Sequence, residues 1–253
     1  MLDLIVIGAG LSGLMAAYTA AQAGLQVKIV SKGLGALHWS AGTVDVLGYY
    51  PDAHTPVERP SSAIQEFVQA RPQHPYALLA GTELEEALQT FSLLAKAAGL
   101  PYLGAGDVNL WLPSPVGAAR PTFRAPMAQL AGNLTRAEPM LIVGFRGLRD
   151  FFPELIAQNL SKQGHQARAA FLPLDTITDR HDSNTVQLAN GLDQPARRKA
   201  LAEELKKLVQ RGERIGLPAI LGIAEHASVI KELQAATNAA VFEIPTLPPS
   251  VPG

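Results

Sequence analysis

The chain has 253 residues, of which 47% are hydrophobic and 17% charged, and its formal net charge is −1. This composition is typical of a globular protein, and the near-neutral charge without a basic block argues against nucleic-acid binding. The chain contains no cysteine, which excludes disulfides, thiol catalysis and iron–sulfur ligation by its own residues.

The sequence also argues against a secretory signal, a membrane span and a metal site. The first residues, MLDLIVIGAG, have an acid at position 3 and no basic segment. No apolar stretch is long enough to cross a bilayer. The six histidines, at positions 38, 54, 74, 165, 181 and 226, do not share the spacing of one helix face, so we expect no metal site.

A βαβ unit is predicted over residues 2–31. Leu2 to Ile7 form an apolar strand, the glycine-rich turn GAGLSG follows, an Ala-rich helix ends at Gly24, and Gln26 to Val30 form a second strand. The size and order of these elements are those of the dinucleotide-binding fold.

The turn between the first strand and the helix has the spacing of a phosphate-binding loop. Gly8 permits the tight turn, Gly10 lets a pyrophosphate approach the backbone, and Gly13 lets helix and strand pack closely. Free N–H groups at the helix start, with the Ser12 hydroxyl, then hold the phosphates. The predicted cofactor contacts in this turn are Gly8, Gly10, Leu11, Ser12 and Gly13.

The second strand ends in Ser31-Lys32, where dinucleotide folds usually place an acid that binds the adenosine ribose. Three interpretations stay open. The cofactor is a flavin whose ribose is held otherwise, it lacks an adenosine half, as FMN does, or Lys32 meets a 2′-phosphate, as in NADP enzymes.

The remaining residues predict mixed helices and strands with no clear further parallel strands for the nucleotide domain. We expect a turn-rich linker at 49–62, irregular chain or short edge strands at 99–126, and a polar loop at 174–194. Helices are predicted from a capping box at Thr82 to about 98, and near 150–162, 195–211 and 225–237. Strands are predicted at 140–143, 167–172, 215–223 and 240–244, with Pro218 favouring an edge position or an early break.

Five segments carry a family resemblance: ALHWSAGTVDVLG at 36–48, HPYALLAG at 74–81, VGFRGLRDF at 143–151, LANGLD at 188–193 and PTLPPSVPG at 245–253. The chain resembles the B subunit family of the anaerobic glycerol-3-phosphate dehydrogenases. The resemblance implies an α/β fold, with an incomplete Rossmann-like βαβ of the FAD/NAD(P)-binding type at 1–48, a cap or insertion domain at 49–244, and a return segment starting at 245–253. Family members are much longer, so we expect a C-terminally truncated chain.

The resemblance implies a flavin-dependent subunit, with non-covalent FMN or FAD, of a respiratory complex that oxidises glycerol 3-phosphate to dihydroxyacetone phosphate and passes electrons to quinone. It implies two partners: a flavoprotein A subunit, and an iron–sulfur C subunit that anchors the complex, so that this chain would lie in the cytoplasm, peripheral on the cytoplasmic membrane. The alternatives are an NADP-dependent reductase and a truncated, non-catalytic assembly subunit.

The resemblance also places residues near the flavin, although none is assigned as catalytic. Ser40, Ala41, Gly42 and Thr43 are predicted as backbone donors near the flavin ring and ribityl chain, and Ser31 and Lys32 complete the predicted cofactor set. His38 has three interpretations: covalent attachment as in fumarate reductase relatives, non-covalent lining of the flavin pocket, or a structural role.

Two further pairs have a functional and a structural interpretation. Arg120 and Arg124 could hold a phosphate, but solvated surface charge is favoured. His74 and Tyr76 could face a substrate or another subunit, and a turn started by His-Pro is an equal alternative.

Overall fold

The computed structural model of the chain describes residues 1–33, 35–50, 54–79, 83–180 and 182–246, without the side chains of His38 and Trp39. The chain divides into two compact units, Met1–Gly42 and Thr43–Gly253. The predicted division into 1–48, 49–244 and 245–253 stays a prediction, and most of its last segment lies outside the described residues.

The first unit is the predicted βαβ. Strand β1 (Leu4–Ile7) pairs in parallel with strand β2 (Val27–Val30), and helix α1 (Leu11–Gln22) joins them. The helix ends before Gly24, whose φ of +84° no other residue type adopts as readily. The strand–turn–helix–strand prediction is therefore confirmed.

The sheet of the first unit leaves large apolar side chains exposed. Ile5 is 56% exposed and Ile7 is 88% exposed. A two-stranded sheet buries too little apolar surface to be stable by itself. The first unit therefore contributes little to the free energy of unfolding of the chain.

The second unit holds the other helices and strands. Their bounds are α2 Pro60–Ala70, α3 Glu83–Ala97, β3 Tyr102–Leu103, β4 Leu110–Pro113, β5 Ala119–Thr122, β6 Ala125–Pro126, α4 Met127–Leu130, β7 Met140–Arg146, α5 Pro153–Lys162, β8 Ala167–Pro173, α6 Thr185–Leu192, α7 Pro195–Leu208, β9 Arg214–Pro218, α8 His226–Thr237 and β10 Val241–Ile244. Short 3₁₀ helices span Gly35–Trp39 in the first unit, and Pro75–Leu78 and Leu174–Thr176 in the second. No helix in the described part of the chain is long and apolar enough to cross a membrane.

A four-stranded parallel sheet forms the core of the second unit. Its strand order is β10-β9-β7-β8, so the chain leaves β7 toward β8 on one side and returns to β9 on the other. Six of the seven residues of β7, MLIVGF, are buried, as expected for a central strand with both faces covered. The sheet is separate from β1–β2, so the predicted incomplete βαβ followed by an α/β unit is confirmed.

Two predicted loops overlap helices: the linker at 49–62 is confirmed in its described residues up to 59 and wrong at its last three residues, and the loop at 174–194 is wrong where it contains α6. Helix α2 begins at Pro60, inside the predicted linker, because proline at the first helical position costs no hydrogen bond. Helix α6 begins inside the predicted loop at 174–194. The side chain of Asn184 accepts the N–H of Gln187 at 2.9 Å and the Gln187 side chain accepts the N–H of Asn184, which forms a capping box.

The other predicted elements are present within a few residues. The region 99–126 forms short antiparallel pairs, β3 with β6 and β4 with β5. Of the two interpretations given for this region, the one with short strands is confirmed. Strand β9 ends at Pro218 in an interior position of the sheet, so the early-break interpretation is confirmed and the edge interpretation is wrong. Thr82, the first residue of the predicted capping box, lies outside the described residues.

A buried arginine joins the sheet to the segment that precedes β7. Arg214 is 2% exposed, and its Nη1 donates to the carbonyl oxygens of Ala131 at 2.6 Å and Asn133 at 3.0 Å. Its Nη2 donates to the carbonyl of Glu138 at 3.1 Å. Burial, together with the charge of Arg136, lowers the pKa of Arg214 to about 10, so the side chain stays charged at neutral pH. One guanidinium thus satisfies several backbone carbonyls at once.

Replacement of Arg214 by leucine should destabilise the chain strongly. The substitution leaves buried carbonyls without donors, and we expect the free energy of unfolding to fall by about 3 kcal/mol or more in urea titrations. The matched control is Arg211→Leu, because Arg211 is exposed three positions earlier and should change stability by less than about 0.5 kcal/mol. Equal losses in both variants would contradict the structural role of Arg214.

Strand β10 carries an acid that titrates near neutrality. Glu243 accepts the N–H of Leu221 at 2.7 Å, in the segment that follows β9. Burial raises the pKa of Glu243 to about 7, although the N–H groups of Leu221 and Ile220 act to lower it. Because the folded protein holds this proton more tightly than the unfolded chain does, ionisation of Glu243 opposes folding.

The stability of the chain should therefore fall as pH rises from 4.5, the ordinary pKa of a glutamate, to about 7, the raised pKa of Glu243. The contribution of Glu243 is fully present below pH 4.5 and lost above pH 7, with an upper limit of about 3 kcal/mol from the pKa difference. Glu243→Gln should remove this part of the pH dependence in urea titrations at several pH values. Parallel pH profiles of the two proteins would contradict the assignment.

Candidate functional site

The turn after β1 is shaped by contact between two glycines. Gly8 has a φ of +105°, and a Cβ added at Gly13 would lie 2.1 Å from the carbonyl oxygen of Gly8. That atom belongs to the backbone, so no side-chain movement can relieve the contact. Only glycine at position 13 allows α1 to begin this close to the end of β1, as the sequence predicted.

The start of α1 offers free hydrogen-bond donors. Gly10 is its N-cap and supplies no side-chain cap, and Leu14 is the first residue whose N–H bonds back, to the Gly10 carbonyl at 3.0 Å. The N–H groups of Leu11, Ser12 and Gly13 have no acceptor in the described part of the chain. These donors and the positive end of the helix dipole fit the pyrophosphate of a dinucleotide.

The space beside Gly10 is also suited to a phosphate. A Cβ added there would meet no atom of the described residues within 4 Å, so none of these residues requires glycine at this position. If a pyrophosphate binds here, glycine is required at position 10 because the ligand oxygens must approach the backbone closely. The residues present therefore fit the group that the motif predicts.

Gly35 is a part of this loop that sequence reasoning missed. It has a φ of +60°, and a Cβ added to it would lie 3.4 Å from the Cα of Gly10. The 3₁₀ helix 35–39 therefore starts in contact with the phosphate loop. The density of glycine in the segment was the available signal, but spacing alone did not identify which glycine makes the contact.

The end of β2 carries no acid and no ion pair. The Ser31 hydroxyl bonds within its own turn, where it accepts the N–H of Gly33 at 3.0 Å. Both Ser31 and Lys32 are exposed, and Lys32 forms no ion pair with the described residues. The Ser31 hydroxyl also donates to the carbonyl of Gly33, so it is occupied within the turn, whereas the exposed Lys32 ammonium is available to a ligand; the role of both residues in binding stays a prediction.

The predicted flavin-approach segment uses its side chains locally. Ser40 donates to the carbonyl of Leu37 at 2.9 Å and accepts the N–H of Gly42 at 3.3 Å, and Gly42 has a φ of +70°. Ala41 also takes part in a contact within the structure. Because the Ser40 hydroxyl is occupied within this turn, any contact with a cofactor would come from the backbone.

Thr43 and His38 are the two predicted cofactor residues whose side chains the first unit does not describe. Thr43 belongs to the second unit, where its Oγ1 accepts Nη1 of Arg120 at 2.7 Å. The side chain of His38 lies outside the described residues, so its three interpretations stay predictions.

The second unit contains a cavity of about 530 Å³. It is lined by α2, α3, the 3₁₀ helix 75–78, the turn at 106–107 and the connection between β5 and β6. Arg124 lines it, whereas Arg120 pairs with Asp45 at 3.1 Å. The Nε atoms of both arginines are buried without partners in the described part of the chain, and both residues are partly exposed, so these charges are only partly solvated.

His74 and Tyr76 hold the turn that borders this cavity. His74 Nδ1 accepts the N–H of Tyr76 at 3.2 Å, and its ring packs on Phe67 with centroids 4.8 Å apart. The Tyr76 hydroxyl donates to the carbonyl of Val46 while the residue lines the cavity, and burial raises its pKa. His74 therefore has the structural role, and Tyr76 is in a position to meet a ligand.

The carboxyl edge of the larger sheet is a common place for ligands, but here a side chain fills part of it. Asp193 accepts the N–H groups of Ile223 at 3.0 Å, Ala224 at 3.1 Å and Glu225 at 2.9 Å, just before α8. Burial by itself would raise the pKa of Asp193, but these hydrogen bonds hold that pKa below its ordinary value. The N-terminus of α8 is thus occupied by the chain itself.

Comparison with known proteins gives one family and a set of relatives. The model of the FAD binding domain family matches residues 3–253. Proteins named as the B subunit of anaerobic glycerol-3-phosphate dehydrogenase are similar over 99% of this chain: 35% identical in Yersinia pestis bv. Antiqua, 34% in Pectobacterium atrosepticum and 29% in Aliivibrio fischeri. The chain covers 61%, 61% and 58% of these relatives, about three fifths of their length. No solved structure matches the chain.

Replacement of Gly13 by alanine should open the turn between β1 and α1. The added Cβ would lie within 2.1 Å of the Gly8 carbonyl, so the helix start must move. We expect hydrogen exchange of amides in β1 and α1 to accelerate roughly tenfold or more. Gly33→Ala is the matched control, because a Cβ there meets no atom within 4 Å among the residues that the structure describes. Unchanged exchange in Gly13→Ala would contradict the described turn.

Proposed function

This chain belongs to the FAD binding domain family, and we propose that it is the flavin-carrying B subunit of an anaerobic glycerol-3-phosphate dehydrogenase. One observation carries the proposal: the similarity to proteins of that name runs over 99% of the chain. The family resemblance predicted from the sequence is thereby confirmed, and the FAD binding domain match supports FAD as the cofactor, with FMN a minor alternative.

The residues of the first unit define what this chain would do for the cofactor. The N–H groups of Leu11, Ser12 and Gly13 bind the pyrophosphate, and Gly10 lets it reach the backbone. Ser31 and Lys32 lie at the end of β2, where the adenosine ribose lies in this type of fold. When bound, a flavin supplies the hydride acceptor at N5. The chain's part is to position that group, and the attachment is non-covalent.

The proposed reaction is oxidation of glycerol 3-phosphate to dihydroxyacetone phosphate. The C2–H bond would break as a hydride, which carries both electrons to the bound flavin, and the C2 hydroxyl would release its proton to solvent as the carbonyl forms. A chain without cysteine cannot ligate an iron–sulfur cluster. We therefore propose that the electrons pass to quinone through a flavoprotein A subunit and an iron–sulfur C subunit. The latter would hold the complex on the cytoplasmic face of the membrane.

An NADP-dependent reductase is the second candidate. It is favoured by Lys32, an exposed cation at the end of β2, where NADP enzymes place a positive charge for the 2′-phosphate. A third candidate, a non-catalytic assembly subunit, corresponds to a folded chain that binds no nucleotide. Absorbance and fluorescence separate the three: NADPH-dependent quenching supports the reductase, and a colourless chain that still binds the partners supports the assembly role.

The Gly10→Ala variant tests the cofactor site directly. Because the described residues leave open space beside Gly10, alanine should lower stability only by about 0.5–1 kcal/mol, as a poorer N-cap, whereas it should obstruct the pyrophosphate. We expect FAD affinity, measured by titration of the apoprotein, to fall roughly tenfold or more. This loss is comparable to the free energy of one charge-assisted hydrogen bond. The Gly33→Ala control should bind FAD as the wild type does.

Activity is the test of the complete proposal. The chain should be co-expressed with the A and C subunits of its source and assayed for glycerol 3-phosphate oxidation with a quinone analogue. We expect activity to fall in parallel with FAD content in Gly10→Ala. Full activity in a Gly10→Ala complex whose B chain carries no flavin would contradict a flavin role for this chain.

A further inference from the structure

We propose that the cavity of the second unit is the recognition site for a small phosphorylated polyol, with Arg124 as its phosphate-binding residue. The inference rests on the proposed function, because glycerol 3-phosphate belongs to this chemical class. The volume of about 530 Å³ lies within the range of ligand sites. The polar residues of its lining are Ser61, Gln65, Tyr76, Glu85, Asp107 and Arg124.

Arg124 is held in place by its own backbone and by its neighbours. It exchanges two backbone hydrogen bonds with Val44, at 2.9 and 3.0 Å. Its side-chain stem runs beside Gly104, where an added Cβ would lie 3.4 Å from Cγ, and its Cζ lies 5.4 Å from the ring centroid of Phe123. A cation fixed in this way loses little side-chain entropy when a ligand binds.

The charge of Arg124 has no protein partner in the described part of the chain. Its Nε is buried without a hydrogen-bond acceptor, and no described carboxylate forms an ion pair with it. Arg120, four residues earlier, already pairs with Thr43 and Asp45. A buried donor without an acceptor is costly, and phosphate oxygens match the guanidinium in shape and charge. Arg124 is therefore the residue of the cavity that an anion would satisfy.

The rest of the lining explains why a polyol phosphate fits better than a bare anion. Glu85 and Asp107 contribute carboxylates, which accept hydrogen bonds from hydroxyl groups and repel a second anionic group. Asp107 accepts the Ser61 N–H at 3.0 Å through Oδ1, which leaves Oδ2 for a ligand. The cavity thus joins one cation to several acceptors, the complement of one phosphate joined to several hydroxyls.

Calorimetric titration of the full chain with glycerol 3-phosphate tests this assignment. We expect saturable binding that inorganic phosphate competes away, and no binding of glycerol, which lacks the phosphate. Arg124→Gln should weaken binding roughly tenfold to a hundredfold, and Arg124→Lys by less. Arg211→Gln removes one exposed positive charge outside the cavity and should bind as the wild type does. Equal affinity of Arg124→Gln and wild type would overturn the proposal.

Arginine labelling of the wild-type chain covers the case in which Arg124→Gln does not fold. Phenylglyoxal modifies accessible guanidinium groups, and mass spectrometry reports each position separately. Glycerol 3-phosphate should slow modification of Arg124 and leave Arg211 unchanged. Equal rates with and without the ligand at Arg124 would overturn the proposal.

Flavin content of the same samples separates this inference from the proposed function. A colourless chain with Arg124-dependent glycerol 3-phosphate binding would support the cavity site while contradicting the flavin role. A yellow chain that binds no glycerol 3-phosphate would contradict the cavity site and leave the flavin role standing.

Discussion

The close approach of α1 to the end of β1 is the constraint on which the nucleotide-binding part of the molecule depends. Gly13 lies against the carbonyl of Gly8, at a distance that admits no side chain. This contact directs the unpaired N–H groups of the first helical turn into open space beside Gly10. The proposed phosphate site is thus made of backbone N–H groups and needs no reactive side chain.

The two units differ in how much apolar surface they bury. The second unit has a parallel sheet whose central strand is buried, and Arg214 ties that sheet to the segment before β7. The first unit has only two strands and exposes large apolar side chains. Loss of the phosphate turn should therefore affect ligand binding more than the global free energy of unfolding.

Local sequence patterns predicted the elements that depend on local physics. The glycine spacing and apolar runs identified β1, α1 and β2, and hydrophobic segments identified β7 to β10. Helices α2 and α6 were missed because the proline and the Asn–Gln capping pair at their starts are also common in loops. The backbone of Arg124 pairs with Val44, far away in the sequence, and no local pattern reports such a contact. The Gly35–Gly10 contact was missed for the same reason.

Identification of the nucleotide carried by the purified full chain is the most direct measurement. The protein is precipitated with acid, and the supernatant and pellet are analysed by chromatography and mass spectrometry. FAD in the supernatant, with a colourless pellet, is the result expected if the proposed phosphate loop holds the cofactor without a covalent bond. A folded chain that releases no flavin, and takes up none when incubated with FAD, would contradict a flavin site in residues 1–42.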